Sequence, residues 1–439
     1  MNLNQIEFAL SQKIAAGNDN LDLLTYTRAI QQLRTGAMFV VACSQLLPTA
    51  SASNGKLYLV EDSQRVVFSN SVFWIPIVSQ SSTGWTWGSN SDGQLGTSNV
   101  TNRSSPVREI TSSCNWLQLR AGVATSMGLK QDSSLWLWGN NVCGQLGDNT
   151  VTSKSSPVRE ITSSTTWCQI GTSFYTMSGV KSDGSLWAWG KNTYGQVGDN
   201  TIVNKSSPVR EISSSATWCQ TSPGYSHTAA LKTDGTLWGW GNNGTGQLGT
   251  CNLSNRSSPV REISSSTNWC QVSAGLYGTL ALKTSGTLWG WGSNECGKFG
   301  NNSTSNVSSP VQEISSSTTW CQTSAGFAHS IALKTTNTLW AWGCNACGAL
   351  GDNSTVSRSS PIQEATSATN WCQVTAGFGR SGALTTASTL WMWGNNNCGQ
   401  LGNNSTTRSL LPIREISSSS SWSEVSIGQG LFTVARQTI

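Results

Sequence analysis

The chain has 439 residues, of which only 11% are charged, with a formal net charge of +5, 44 Gly and 22 Trp. So few charges argue against a helical bundle, whose solvated faces need many Glu and Lys, and so many regularly spaced Trp argue against disorder. The basic residues are scattered, which speaks against nucleic-acid binding, and no run of about eighteen apolar residues suggests membrane insertion.

From the amino terminus, MNLNQIEFALSQKIAAGNDN lacks an apolar signal core, so no Sec-type export is expected and the protein is made in a cytoplasm. Residues 1–35 predict two short amphipathic helices. Leu3, Ile6, Leu10 and Ile14 stripe the first; Leu21, Leu24, Ile30 and Leu33 stripe the second, after a break at Gly17-Asn18. Helices this short need something to pack on, so they read as an attachment or oligomerisation segment. Residues 36–80 predict a small β-rich connector with strands at Lys56–Val60, Arg65–Phe68 and Phe73–Val78.

Residues 81–439 are a repeat. Trp-x-Trp-Gly begins at Trp85, Trp136, Trp187, Trp238, Trp289, Trp340 and Trp391, a constant step of 51 residues. A second set keeps the same step at Trp116, Trp167, Trp218, Trp269, Trp320, Trp371 and Trp422, and so do seven prolines from Pro106 to Pro412. The unit that starts at Trp218 predicts four strands. WCQTSPG is followed by HTAALKT, an Asp234-Gly235 hairpin turn, TLWGWG, a Gly-rich loop, and a fourth strand that opens on Pro259 and runs to Ile263.

Such a unit can bury its Trp and Leu only against a neighbouring sheet. The ends of the chain are complementary, because the last copy stops where its third strand is due and the first copy begins with one. The pattern predicts an all-β, seven-bladed propeller of four-stranded blades. The closing blade draws on Trp422–Gln437, Trp85–Trp87 and Pro106–Ile110. Phe73–Val78 competes for a place in that blade, but Pro76 is awkward in an inner strand and the C-terminal segment brings Trp422 in register.

GTLWGWGNNGTGQLG, SSPVREI and the recurring Ala-Gly with LALK resemble the regulator of chromosome condensation repeat family over roughly residues 81–439. The resemblance implies a seven-bladed propeller. Its eukaryotic member is a nucleotide-exchange factor on chromatin, and other members are interaction scaffolds. The family often carries His in the second strand; here only His227 and His329 do, with Thr125, Thr176, Gly278, Arg380 and Leu431 at the equivalent places. All copies share one length and none carries an inserted wedge, so the resemblance supports the fold far more than exchange activity. The opening, with NLDLLTYTRAIQQL and the stretch from LPTASASNGKLYLVEDSQ to WIPI, is similar to the start of tailed-phage fibre and other virion proteins.

The chemistry-bearing residues follow the repeat. Cys168, Cys219, Cys270, Cys321 and Cys372 each follow a Trp, while Cys143, Cys296, Cys347 and Cys398 sit in the Gly-rich loops. They read as small buried residues, as disulfide partners such as Cys143 with Cys168, or, at Cys344-x-x-Cys347, as metal or redox ligands. The Trp pairs read as packing between blades. Arg108-Glu109, Arg159-Glu160, Arg210-Glu211, Arg261-Glu262 and Arg414-Glu415 read as pairs pointing to opposite strand faces, with members bridging blades. His227 and His329 lie two blades apart and cannot form a dyad. No catalytic, cofactor-binding or metal residue is assigned, and no enzyme activity or cofactor is expected.

These readings point to a non-enzymatic virion structural protein of a tailed phage, on the tail more than the capsid. Its N-terminal region would join other virion proteins, a trimer being compatible with fibre-like attachment. Its propeller would bind a host-surface glycan or protein through Thr97–Arg103, Asp148–Lys154, Asp199–Lys205, Thr250–Arg256, Asn301–Val307, Asp352–Arg358 and Asn403–Arg408. The alternatives are a capsid decoration protein, and a cellular propeller scaffold or small-GTPase regulator.

Overall fold

Seven four-stranded antiparallel sheets, stacked around one axis, make up residues 81–439 of the computed structural model; ahead of them it describes only the strands Met38–Val41, Leu57–Val60, Arg65–Ser69 and Trp74–Val78. Those four strands form a sheet of their own, its first pair parallel and the others antiparallel. Three of them match the expected connector strands to within a residue; the Met38–Val41 strand was not foreseen. The two helices expected in residues 1–35 lie outside the described residues.

Blades I to VI begin at Trp116, Trp167, Trp218, Trp269, Trp320 and Trp371, and each is ordered from the axis outward in chain order. Blade III is typical, with strands Trp218–Pro223, His227–Lys232, Leu237–Gly241 and Arg256–Arg261. Blade VII is shared by both ends of the propeller segment: Trp422–Ile427 and Phe432–Thr438 pair with Ser82–Gly88 and Arg103–Arg108. Closure thus follows the expected register, and Trp74–Val78 lies in the other sheet.

Two details differ from the sequence reading. Each repeated proline lies inside the outer strand, as Pro157 does in Lys154–Arg159, rather than at its start. The outer strand is a sheet edge, and its ladder slips between Lys154 and Val158, so the missing N–H breaks no regular pairing. In blade VII the turn after the inner strand is one residue longer, so Phe432, not Leu431, faces Gly88 as His227 faces Gly241.

The core lies between blades, and each repeated motif has a reason there. The second Trp of every Trp-x-Trp-Gly is fully buried. Trp291 in blade IV donates its indole N–H to the Gln247 carbonyl of blade III at 3.0 Å. Gly249 lies against the same indole with φ +69°, and a Cβ there would come within 2.9 Å of Nε1. That close approach explains why the loop reads Gly-Gln-Leu-Gly, its Leu248 buried beside it.

Candidate functional site

The inner-strand Trp are buried too, and their indoles reach back one blade. Trp269 donates to Glu262 Oε1 at 3.1 Å, and the same carboxylate accepts the Ser264 N–H at 2.6 Å and the Ser266 N–H at 3.2 Å. Glu262 therefore holds the turn between two blades, in which Ser265 adopts φ +53°, and pins the next blade to it. Equivalent bonds join Glu160 to Trp167, Glu211 to Trp218 and Glu415 to Trp422. This corrects the picture of Arg-Glu pairs on opposite faces of a strand. The Glu stands beyond the strand end and does the bridging, while Arg261 donates to the Ser265 carbonyl of the same turn. The first Trp of each pair is only half-buried, and Lys232 Nζ lies 4.7 and 4.4 Å from the Trp218 and Trp238 rings.

A ring that the sequence reading missed surrounds the axis. Gln118, Gln169, Gln220, Gln271, Gln322, Gln373 and Glu424 occupy one position of the seven inner strands. Gln220 Oε1 accepts the Val272 N–H of the next blade at 3.1 Å, and Gln220 Nε2 donates to the Val272 carbonyl at 3.3 Å, so the amide side chain acts as an extra peptide unit between blades. Two residues further on, Ser222, Ser273, Ser324, Thr375 and Ser426 accept a second N–H from the following blade. Trp-x-Gln recurring every 51 residues was the available signal. These strands enclose a polar cavity of about 240 Å³ that includes Gln169, Gln220, Gln271, Gln322 and Gln373 in its lining.

At one mouth of this channel an aromatic cluster forms from the second residue past the end of the inner strands. Phe174 meets Tyr225 of the next blade at 4.5 Å and, across the axis, Phe327 at 6.4 Å; Phe327 meets Phe378 at 4.6 Å. Phe378 is 38% exposed, and Lys191 lies 5.9 Å from the Tyr225 ring.

The candidates for chemistry are otherwise structural. His227 and His329 are fully buried in separate blades and contact Thr279 and Ser381 of the following blade at 3.0 and 2.9 Å. Burial, with Lys298 near one and Arg380 near the other, holds their pKa down at about 3 and about 4, so both rings are neutral. Cys168, Cys219, Cys270 and Cys321 sit at or beside a slip in the inner ladder and donate their thiols to backbone carbonyls of the second strand. Burial pushes the Cys219 thiol up to about 12. Cys143 and Cys168 are not bonded to each other; among the described residues a disulfide joins Cys296 to Cys344, from the loop of blade IV to blade V. The Cys344-x-x-Cys347 pair is thereby divided. Among the described residues there is no group of three or more His, Cys, Asp or Glu arranged to hold a metal ion, and no helix is long and apolar enough to cross a membrane.

All seven polar loops share one scaffold. An Asn at the start of each loop donates its Nδ2 to the carbonyl nine residues on: Asn90 to Asn99, Asn141 to Thr150, Asn192 to Thr201, Asn243 to Asn252, Asn294 to Ser303, Asn345 to Ser354 and Asn396 to Ser405. The Asn-rich content noted in the sequence thus goes partly into shaping the loops.

Comparison with known proteins agrees with this architecture. The regulator of chromosome condensation (RCC1) repeat matches residues 85–129, 183–231, 234–282, 285–333, 337–384 and 388–435. The ultraviolet-B receptor UVR8 of Arabidopsis thaliana is 26% identical over 336 residues, 72% of this chain and 73% of that one. The probable E3 ubiquitin-protein ligase HERC3 of Homo sapiens is 31% identical over 182 residues, 40% of this chain but only 17% of its own length. Prp20p of Saccharomyces cerevisiae, solved in a study of its binding to Gsp1p and histones, superposes with TM-score 0.73 at 19% identity, over 82% of this chain and 92% of its own. Human WBSCR16 superposes with TM-score 0.70, also at 19% identity, over 82% and 99%.

These relatives are proteins of plant, human and yeast cells, and they overturn the expectation of a phage virion protein, with its virion location, virion partners and host-surface ligand. The likeness of the opening segment to phage fibres gains no support, since the repeat matches begin at residue 85. The propeller, its closure and its blade count stand, and the chain belongs to the regulator of chromosome condensation (RCC1) repeat family.

Proposed function

We propose that this chain is a cellular scaffold whose propeller binds partner proteins through its exposed loops and mouths, without chemistry of its own. One observation carries the reading. The recurrent polar side chains that could suggest catalysis are engaged between or within blades, from the Glu–Trp bonds to the glutamine ring and the buried His. Among the exposed residues, those that differ from blade to blade are the loop residues beyond the Asn scaffold and the aromatic mouth around Tyr225 and Phe378. The leading sheet, from Met38 to Val78, is a unit apart from the propeller in this reading, with a boundary near residue 80.

A second reading, regulation of a small GTPase, rests on family membership and on the likeness to Prp20p, which binds Gsp1p. Both are tested on the full chain. Tagged protein recovered from its native cells after cross-linking is expected to carry defined partners in fixed ratio. Phe378→Ser, and Tyr194→Ser at the exposed Tyr194 of the blade II Gly-rich loop, should lower that recovery without lowering the melting temperature. Recovery as a lone monomer would sink the scaffold reading. Release of fluorescent nucleotide from a purified small GTPase, accelerated tenfold or more by the chain, would establish the second.

A further inference from the structure

The seven loops are alike inside and unlike outside. The residue that follows each Asn-bonded carbonyl is Val100 in blade VII, Val151 in blade I, Ile202 in blade II and Leu253 in blade III, but Thr304, Thr355 and Thr406 in blades IV, V and VI. The four aliphatic side chains are 61, 63, 65 and 60% exposed. The same Asn-to-carbonyl bond shapes the loop in all seven blades, so the fold does not require an aliphatic residue there. Three residues later, where the outer strand begins, the same four blades carry Arg103, Lys154, Lys205 and Arg256. Lys205 pairs with Asp199 at 2.9 Å, while Arg103, Lys154 and Arg256 have no carboxylate within salt-bridge distance among the described residues. Blade IV has Val307 at that place, and in blade V Arg358 lies 3.5 Å from Asp352.

Because blade VII closes against blade I, these four blades are consecutive around the ring. Resting on the scaffold reading above, we propose that the rim of blades VII, I, II and III is a docking surface for an acidic protein segment bearing aliphatic side chains, each blade offering one exposed aliphatic and blades VII, I and III an unpaired cation as well. The exposed aliphatics ask for apolar cover, and the unpaired cations select carboxylates to come with it.

The probe is a fluorescein-labelled peptide of about 20 residues alternating Glu and Leu, long enough when extended at ~3.3 Å per residue to pass several blades. Its anisotropy should rise on titration with the full chain. The quadruple variant V100S/V151S/I202S/L253S should bind at least tenfold more weakly, and so should R103S/K154S/R256S. Val356→Ser, outside the arc, should bind as the native chain does. Equal binding by the quadruple variant, or by a Lys-Leu peptide to the native chain, overturns the proposal. So does self-association in sedimentation that the quadruple variant abolishes, which would make a second copy the occupant, or binding to anionic vesicles lost in the same variant.

A photo-cross-linker placed at Ile202, and separately at Phe378, tells this proposal from the scaffold reading. Adducts at Ile202 with an identified acidic, aliphatic-bearing segment support it. Adducts at Phe378 alone overturn the rim and leave the scaffold standing, and adducts at neither overturn both.

Discussion

The carboxylate of Glu424 accepts the backbone N–H of Leu119 at 2.9 Å, across the seam where blade VII meets blade I. The other six blades have Gln at this position, and the closing blade alone has its charged counterpart. Arg120 pairs with Glu424, and Arg436 lies 3.5 Å from it, so this seam holds a charge cluster around a buried carboxylate where the other seams use neutral amides.

That cluster makes the seam sensitive to acid. Burial alone would raise the Glu424 pKa, but Arg120 and Arg436 outweigh it and hold the carboxyl below its usual range. A depressed carboxyl pKa stabilises the fold above the unfolded value, and that stabilisation is lost as pH falls through the folded one. Glu424→Gln keeps the N–H acceptor but leaves two guanidinium groups without their carboxylate. Thermal unfolding of the full chain should show it less stable at pH 7, by about 3 kcal/mol, with the difference from native protein narrowing toward pH 3. A variant as stable as native at pH 7 would mean that a neutral amide serves this seam as well as the carboxylate.

His227 and His329 set a second pH dependence of known sign. Their folded pKa values, about 3 and about 4, lie below the ordinary 6.5. Below pH 6.5 the unfolded chain therefore binds more protons than the folded one, and stability falls as pH drops toward 4. Thr is the residue of blades I and II at this position, where its hydroxyl donates to the Asn140 and Lys191 carbonyls. The double variant H227T/H329T should flatten the loss of melting temperature between pH 6.5 and 4. An unchanged slope would show that the two rings take up protons in the folded chain as readily as in the unfolded one.

Two glycines of one loop should behave in opposite ways. Gly249 combines φ +69° with the Trp291 indole at its back, whereas a Cβ on Gly244 would meet nothing nearer than the Asn242 side-chain oxygen at 3.5 Å. Gly249→Ala should cost about 1–3 kcal/mol in chemical denaturation, and Gly244→Ala should change stability by less than about 0.5 kcal/mol. Equal effects would mean that the loop yields to the added methyl group.

The Cys296–Cys344 disulfide ties blade IV to blade V across 48 residues of sequence. Elsewhere the same spacing is bridged by hydrogen bonding, as where Asn140 donates to Asp92 at 2.6 Å. Chain-entropy reasoning puts the cross-link at up to about 4 kcal/mol. Dithiothreitol should lower the melting temperature of native protein but not of C296S/C344S. Equal midpoints with and without reductant in native protein would show that the link does not stabilise the fold.

Much of this protein was legible from spacing alone. Trp and Gly recurring every 51 residues specify equal sheets that cannot bury their cores singly, and complementary chain ends specify ring closure, because hydrophobic burial and edge pairing leave few other solutions. The roles of single polar residues were not legible in this way. Glu262 looks like a strand residue paired with Arg261 until the turn is seen to bring its carboxylate to a Trp seven residues on in the next blade. Gln220 looks like an exposed inner-strand residue until the next blade's backbone is placed beside it. Both contacts join groups whose separation in space is set by how blades pack, and that packing only the tertiary structure decides. The four exposed aliphatics are the reverse case: the letters were plain in the sequence, but only the closed ring makes blades VII, I, II and III neighbours.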